Sequence, residues 1–200
     1  AFRILCAWSL MFGNMPIGFA QQFGVIDDVY VGRNTVSPFG GIGRYQNLLL
    51  KSEDFSTTWV DADGAKPVTV AANLASPDLA PNNSQTADRL SQAGSLAGAG
   101  LQQGVNLGAA AGNRTFTLSA WLKAQTAHAA RLQLKTASNS QTPLSVNVET
   151  AWGRFATTYT VPAGDANSTL TAVLFLDDGA AYNTLDVWGA QVEEANAEGV

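Results

Sequence analysis

The sequence predicts an all-β chain folded as a two-sheet antiparallel β-sandwich, most simply a jelly roll. Apolar and polar residues alternate with a period of two in many short runs, and Gly, Pro, Asn and Asp separate these runs. No segment shows a convincing helical period, because the alanine-rich stretches are interrupted by glycine. The predicted strands cover residues 67–72, 85–91, 100–106, 115–124, 130–136, 144–149, 152–161, 169–176 and 184–193, with a further short edge strand at 47–50.

The chain before the predicted sandwich has a different composition. Residues 1–20 are apolar with Arg3 as the only charge, which is compatible with the remnant of a secretion signal or with an arm that packs on a neighbouring subunit. Residues 21–46 are predicted to be a Gly-rich linker. We expect the N-terminal arm as a whole to be irregular or strand-like. We expect the jelly roll to cover 47–195, with a C-terminal tail at 196–200, and residues 1–46 to contact copies of the chain or virion or filament neighbours.

Composition excludes several classes of partner and site. The net charge is −5, and Lys and Arg do not cluster, which argues against binding to nucleic acid or anionic lipid. Cys6 is the only cysteine, so an intrachain disulfide and a cysteine-rich zinc site are excluded. The apolar run of the leading segment is interrupted by Gly13, Asn14 and Pro16, so we expect no membrane span.

The stretch "FTLSAWLKA" places a tryptophan on the polar side of a strand. Phe116, Leu118, Ala120 and Leu122 alternate toward the core, whereas Trp121 points away from it. An indole ring on a solvated sheet face stacks against the apolar C–H face of a sugar. The sequence therefore predicts a glycan-binding site at Trp121; the alternative is that a loop, the N-terminal arm or a neighbouring subunit covers the ring.

Polar residues on this and the next strand are predicted to complete the glycan site. They are expected to face solvent and to hydrogen-bond sugar hydroxyls: Ser119, Lys123, Arg131 and Gln133. The other tryptophans of the domain are expected to close the ends of the sandwich or to pack under loops: Trp59, Trp152 and Trp188.

Five stretches in order resemble a known kind of module. They are "NLLLKSEDFSTTWV", "SPDLAPNNSQTADRL", "FTLSAWLKA", "WGRFATTYTVPAG" and "LDVWGAQVEEA". Over residues 47–195 the chain resembles the galactose-binding-like jelly-roll modules of phage tail-fibre and head-fibre proteins and of carbohydrate-binding modules. The resemblance implies a jelly roll, a non-catalytic role and association with glycans or virions.

The resemblance also implies a metal site. Many such modules hold a structural Ca²⁺ between their first and last elements, where this chain has Glu53, Asp54 and Asp186. Carboxylate oxygens are ligands that Ca²⁺ prefers. A solvated edge or a capped turn explains the same residues without a metal.

Catalysis finds little support in the sequence. His128 is the only histidine and is expected in an exposed turn, and no Gly-x-Ser-x-Gly motif is present. The acid pairs Asp177–Asp178 and Glu193–Glu194 are sequence neighbours, so on a strand they point to opposite faces and do not flank one glycosidic bond. The expectation is that the protein is not an enzyme.

Together these observations predict a non-catalytic module for adhesion, which binds a glycan or receptor and is displayed outside a cell or on a virion. Single sites of this type bind weakly, so oligomerisation is expected to supply avidity. One alternative is a structural subunit or decoration protein of a phage capsid, tail or extracellular filament that binds no sugar. Another is an accessory module of a glycan hydrolase.

Overall fold

A computed structural model describes residues 46–92, 97–176 and 184–195, all of which lie in the compact unit Tyr45–Gly199. The described chain is all-β, which confirms the predicted fold class. The strands are β1 Val60–Asp61, β2 Thr69–Ala71, β3 Asp88–Ser91, β4 Gly100–Asn106, β5 Thr115–Lys123, β6 His128–Lys135, β7 Leu144–Val148, β8 Gly153–Thr160, β9 Thr169–Phe175 and β10 Thr184–Ala195. No helix that could cross a membrane occurs in these three ranges. The predictions for residues 1–45, 177–183 and 196–200 lie outside the described residues.

The strands form two antiparallel sheets of five strands each. Sheet A has the order β1-β4-β9-β6-β7, and sheet B has the order β2-β3-β10-β5-β8. Only the steps β2 to β3 and β6 to β7 stay within one sheet, so most consecutive strands lie on opposite layers of the sandwich. This crossing pattern decides which side chains share an outer face.

The core lies between the two sheets and is built by the alternation along the strands. On β5 the inward residues Phe116, Leu118 and Ala120 are fully buried, as predicted. On β6 the buried residues are Ala130, Leu132 and Leu134, which face the same core from the other sheet. Each fully buried Leu or Phe stabilises the fold by about 1.5–3 kcal/mol relative to an exposed one.

All nine predicted strand runs overlap observed strands, but the beginning of the domain differs from prediction. Residues 47–50 form no strand; they run extended along β10, with the amide of Leu48 donating to the carbonyl of Val192 at 2.8 Å. The two-residue β1 was not predicted, because two residues are too short to show a period.

A bulge in β10 explains how residues 47–52 dock. The pairing of β10 with β5 shifts register between Trp188 and Gln191, and Gly189 there has a φ of 59°, a conformation that favours glycine. The side chain of Asn47 accepts from the amide of Val192 at 3.0 Å and donates to the carbonyl of Ala190 at 3.1 Å. The polar groups that the bulge displaces are thereby satisfied.

Candidate functional site

The outer face of sheet B carries three of the residues predicted to bind glycan. Ser119, Trp121 and Lys123 alternate outward on β5, as expected. Trp121 is half-buried and lies opposite Trp188 on β10 and Arg154 on β8. The indole is therefore flanked by large side chains on both neighbouring strands.

The two polar neighbours of Trp121 are already hydrogen-bonded within the protein. Ser119 is only 8% exposed and accepts from Nη2 of Arg154 at 2.8 Å. Arg154 also donates to Gln191, so its side chain crosses β5 beside the indole. On the other side, Nζ of Lys123 donates to Asp78 at 2.6 Å. The polar groups of Ser119 and Lys123 are therefore already hydrogen-bonded within the protein, where they stabilise this face.

The segment between β2 and β3, residues 72–87, bonds to this face and is called the strap. The indole of Trp152 donates to the carbonyl of Leu79 at 2.8 Å, and that of Trp188 donates to the hydroxyl of Thr86 at 2.9 Å. Trp152 and Trp188 thus pack under a loop, as expected. Part of the outer face of sheet B is therefore covered by the protein's own chain.

A network of ions holds the strap in place. Asp186 on β10 is 0% exposed and accepts from Nε and Nη2 of Arg89 at 2.6 and 2.9 Å. Nη2 of Arg89 also donates to Asp78 of the strap at 2.8 Å. The side-chain amide of Gln125 also donates to Asp186, at 3.2 Å. Two carboxylates and two cations, including Lys123, thereby connect the strap with three strands.

The carboxylates considered for calcium are not gathered into a metal site. Asp186 pairs with Arg89, whereas Asp54 accepts from the hydroxyls of Ser56 and Thr57 at 2.7 and 2.9 Å and so stabilises a turn. Within the described ranges no three acidic, histidine or cysteine side chains, Glu53 included, are grouped so that they could hold a metal ion. Asp186, for which the resemblance implied a metal, thus has the half-buried guanidinium of Arg89 as its partner.

The ion network predicts an acid-sensitive step in stability. Hydrogen bonds from Lys123 and then Arg89 lower the pKa of Asp78 from 3.8 to about 2. Because the folded-state pKa is depressed, the stabilisation is present above the unfolded pKa and is lost as the pH falls through about 2. Asp78→Asn should lower the free energy of unfolding by about 1–2 kcal/mol at pH 7. In urea titrations the difference in unfolding free energy between the wild type and the variant should disappear toward pH 2. A difference that is constant with pH would contradict this origin.

The remaining two predicted glycan residues lie on the opposite side of the sandwich. Arg131 and Gln133 point outward from β6, but β6 belongs to sheet A and β5 to sheet B. The prediction that they join Trp121 in one site is therefore wrong. Their alternation was read correctly, but the chain changes sheets across residues 124–127.

The outer face of sheet A is a surface of side chains that form hydrogen bonds. The register aligns Gln102, Val173 and Gln133 across three strands. The guanidinium of Arg131 lies over the ring of Phe175, 4.7 Å from its centroid. The other outward residues, identified from register and strand alternation, are Asn106 on β4, Thr169 and Thr171 on β9, Lys135 on β6, and Ser145 and Asn147 on β7.

A depression of 640 Å³ adjoins this face where β6 ends and β9 begins. Its wall is formed by Lys135, Thr136, Ala137, Ala166, Asn167, Ser168, Thr169 and Thr171. A second depression, of 400 Å³, lies beside the short strands β1 and β2 and is lined mainly by apolar residues such as Phe55, Trp59 and Val70. Trp121 is in the wall of neither depression. Trp59, stacked on Phe55 with ring centroids 5.0 Å apart, closes this part of the core as expected.

A buried carboxylate fixes the wall of the larger depression. One oxygen of Asp165 accepts from Thr136 at 2.5 Å and Asn139 at 2.8 Å. The other oxygen accepts from the amide and the side chain of Asn167 at 2.9 and 2.6 Å. These bonds hold the pKa of Asp165 well below its usual range. Sequence reasoning missed this cluster because its members are spread over loops without a period.

The single histidine is not an exposed turn residue. His128 is half-buried at the start of β6, where Nε2 lies 3.0 Å from the carbonyl of Leu176 and Nδ1 lies 2.9 Å from that of Thr126. Both ring nitrogens thus contact backbone oxygens, which gives the ring a positioning role between β6 and the end of β9.

No family model and no curated protein matches the sequence. Among solved structures, the chain is similar to the CBM22-1 xylan-binding domain from Paenibacillus barcinonensis Xyn10C, with a TM-score of 0.52 and 16% identity over 76% of this chain and 97% of that one. It is also similar to part of tailspike protein 4 of bacteriophage CBA120, with a TM-score of 0.50 and 18% identity over 74% of this chain and 21% of that one.

A cyclase from Fischerella sp. TAU has the same architecture, with a TM-score of 0.57 and 13% identity over 78% of this chain and 90% of that one. At such identities the likeness establishes the fold, a jelly-roll sandwich of the kind found in carbohydrate-binding modules. Since the fold serves binding proteins and a cyclase alike, function has to be argued from the faces of this chain.

Proposed function

We propose that the protein is a non-catalytic glycan-binding module and that it binds through the outer face of sheet A. The observation that carries the proposal is the contrast between the two outer faces. On sheet B the strap and Arg154 occupy the groups around Trp121, whereas sheet A presents exposed amides and hydroxyls, with a 640 Å³ depression at one end of the face and the ring of Phe175 at the other. Side chains of these types bind sugar hydroxyls and stack on sugar rings.

One structural neighbour supports a glycan as the ligand, and a second supports a place on a virion. The CBM22-1 domain is a xylan-binding domain, and the tailspike is a phage protein. A module of this kind on a virion fibre or at a cell surface would meet glycans outside the cell. The open face of sheet A binds shallowly, so several copies acting together would provide adhesion.

The same face supports a non-catalytic role. Glycoside hydrolysis requires two carboxyl groups on either side of the scissile bond. In the described strands of sheet A, no outward side chain is an Asp or Glu. A sugar lying on these strands would meet no outward carboxyl group of theirs that could act as general acid or nucleophile.

A pair of matched threonine substitutions tests which face binds. Thr171 and Thr117 are both half-buried outward residues, on sheets A and B respectively. After a glycan array has identified a ligand, Thr171→Ala should weaken binding about threefold to tenfold, the value of one hydrogen bond. Thr117→Ala should leave Kd unchanged, and melting temperatures should show that both variants are folded.

Other results would redirect the assignment. If Thr117→Ala or Trp121→Phe weakens binding and Thr171→Ala does not, the ligand lies on sheet B, as the sequence suggested. If the array shows no bound glycan, the structural alternative, a capsid, tail or filament subunit without sugar binding, replaces the proposal.

A further inference from the structure

Charge is distributed unevenly between the two outer faces. The chain has 16 acidic and 11 basic residues, so a random surface would be mostly negative. On sheet B and its strap the outward charges balance, with three acids, Asp78, Asp186 and Glu193, and three cations, Arg89, Lys123 and Arg154. On sheet A the outward charged residues of the described strands are Arg131 and Lys135 on β6, both cations. The outward charges on the described strands of sheet A are therefore positive, whereas those of sheet B balance.

The depression beside this face contains a cation but no aromatic side chain. Lys135 contributes to its wall and makes no ion pair with any described residue. The rest of the wall is Thr, Ser, Asn and Ala. A neutral sugar gains most from an aromatic platform, whereas an ammonium group beside hydroxyl and amide donors favours an anionic substituent.

Asp165 offers no free acceptor to a ligand in the depression. Each of its oxygens accepts two hydrogen bonds, which uses the four lone-pair sites of the carboxylate. Its side chain is 5% exposed and bonds to Thr136 and Asn167 from behind the wall. The carboxylate thus positions two wall residues, while Lys135 presents the charge.

The two cations are separated along one strand. Arg131 and Lys135 are four residues apart on β6, which corresponds to about 13 Å. Gln133 lies between them on the same face and donates to the carbonyl of Gln141 at 2.8 Å. An extended oligosaccharide along β6 would therefore meet Lys135 at one end of this row and, at the other, Arg131 lying over the ring of Phe175.

We infer that the ligand of the sheet A face is an anionic glycan whose charged group, a carboxylate or a sulfate ester, binds in the 640 Å³ depression against Lys135. This inference rests on the proposed function and specifies its ligand. A lysine acts as a point charge and accepts either anion, so experiment has to separate the two sources.

Matched pairs of oligosaccharides provide the test. The probes are an oligogalacturonate with its carboxyl-reduced counterpart, and a sulfated oligosaccharide with its desulfated counterpart. The charged member of a pair should bind the full chain about tenfold more tightly at low salt, and the preference should shrink as ionic strength rises. Lys135→Gln should bring the affinities for the charged and the neutral member close together. Lys51→Gln, at an exposed lysine beside Asp54, should change neither.

Each outcome separates this inference from the proposed function. A preference in the first pair alone assigns a carboxylate, and one in the second pair alone assigns a sulfate. Equal affinity for both members of each pair overturns the inference but leaves glycan binding intact. A preference that survives Lys135→Gln overturns the assignment to the depression. The absence of binding to all four probes also overturns the inference, whereas the proposed function falls only if the glycan array shows no ligand.

Discussion

Replacing Asp186 by alanine should lower the free energy of unfolding by about 3 kcal/mol, since removing one partner of a buried ion pair leaves the other uncompensated. Asp186 is fully buried and accepts two hydrogen bonds from Arg89. The cost lies at the lower end of the usual range because Arg89 is 23% exposed and keeps Asp78. Urea or thermal unfolding measures the effect.

A double-mutant cycle with Arg89→Ala shows whether the loss comes from the pair. A coupling energy of 0.5–3 kcal/mol, roughly the range for residues in direct contact, is expected between the two substitutions. Calcium provides the second control: addition of Ca²⁺ or EDTA should leave the melting temperature of the wild-type protein unchanged. A rise with Ca²⁺ that is lost in Asp186→Ala would show that this carboxylate binds a metal after all.

The fold was predictable because the alternation of apolar and polar residues along each strand shows which of its sides faces the core. On β5 the alternation assigned Phe116 and Leu118 to the core and Trp121 to the outer face, and the structure agrees. The glycine-rich and proline-rich segments between the runs marked the turns. Alternation is a local property, so a sequence of this kind carries it without reference to distant residues.

The candidate site was less predictable because it depends on which strands share a sheet. Trp121 and Gln133 both point outward, yet they lie on opposite sides of the molecule, since β5 and β6 belong to different sheets. Alternation determines on which side of its own sheet a side chain lies. It does not determine whether the next strand belongs to the same sheet. The partners of Trp121 are also remote in sequence: Arg154 comes from β8 and Trp188 from β10.

The strap supplies the hydrogen-bond acceptors for two tryptophans at sheet B. Trp188 and Trp152 each donate an indole N–H to the strap, and Asp78 secures it through Arg89 and Lys123. Large aromatics bury apolar area and still need a partner for their N–H group. On the outer face of sheet A, Val173 at the centre is covered, but Asn106, Thr169, Ser145 and Asn147 are exposed and can contact a ligand.

Two phenylalanines should separate stability from binding. Phe116 on β5 is fully buried in the core, and Phe175 on β9 lies on the outer face of sheet A. Each ring contacts an arginine guanidinium, Arg114 at 5.2 Å and Arg131 at 4.7 Å from the ring centroid. Phe116→Ala should cost about 3–5 kcal/mol in unfolding free energy, because it removes core packing and leaves a cavity.

Phe175→Ala should cost only about 1 kcal/mol, the value of a partly exposed cation–π contact, but it should weaken glycan binding about threefold to tenfold by removing an aromatic surface. Phe175→Tyr retains the ring and should bind like the wild type. Denaturant titration and Kd measurements on the same variants give both quantities. If Phe175→Ala lowers stability as much as Phe116→Ala, the ring belongs to the fold rather than to a site. If it leaves Kd unchanged, the ligand does not contact this end of sheet A, because an outward ring beneath a bound sugar would lose its stacking energy.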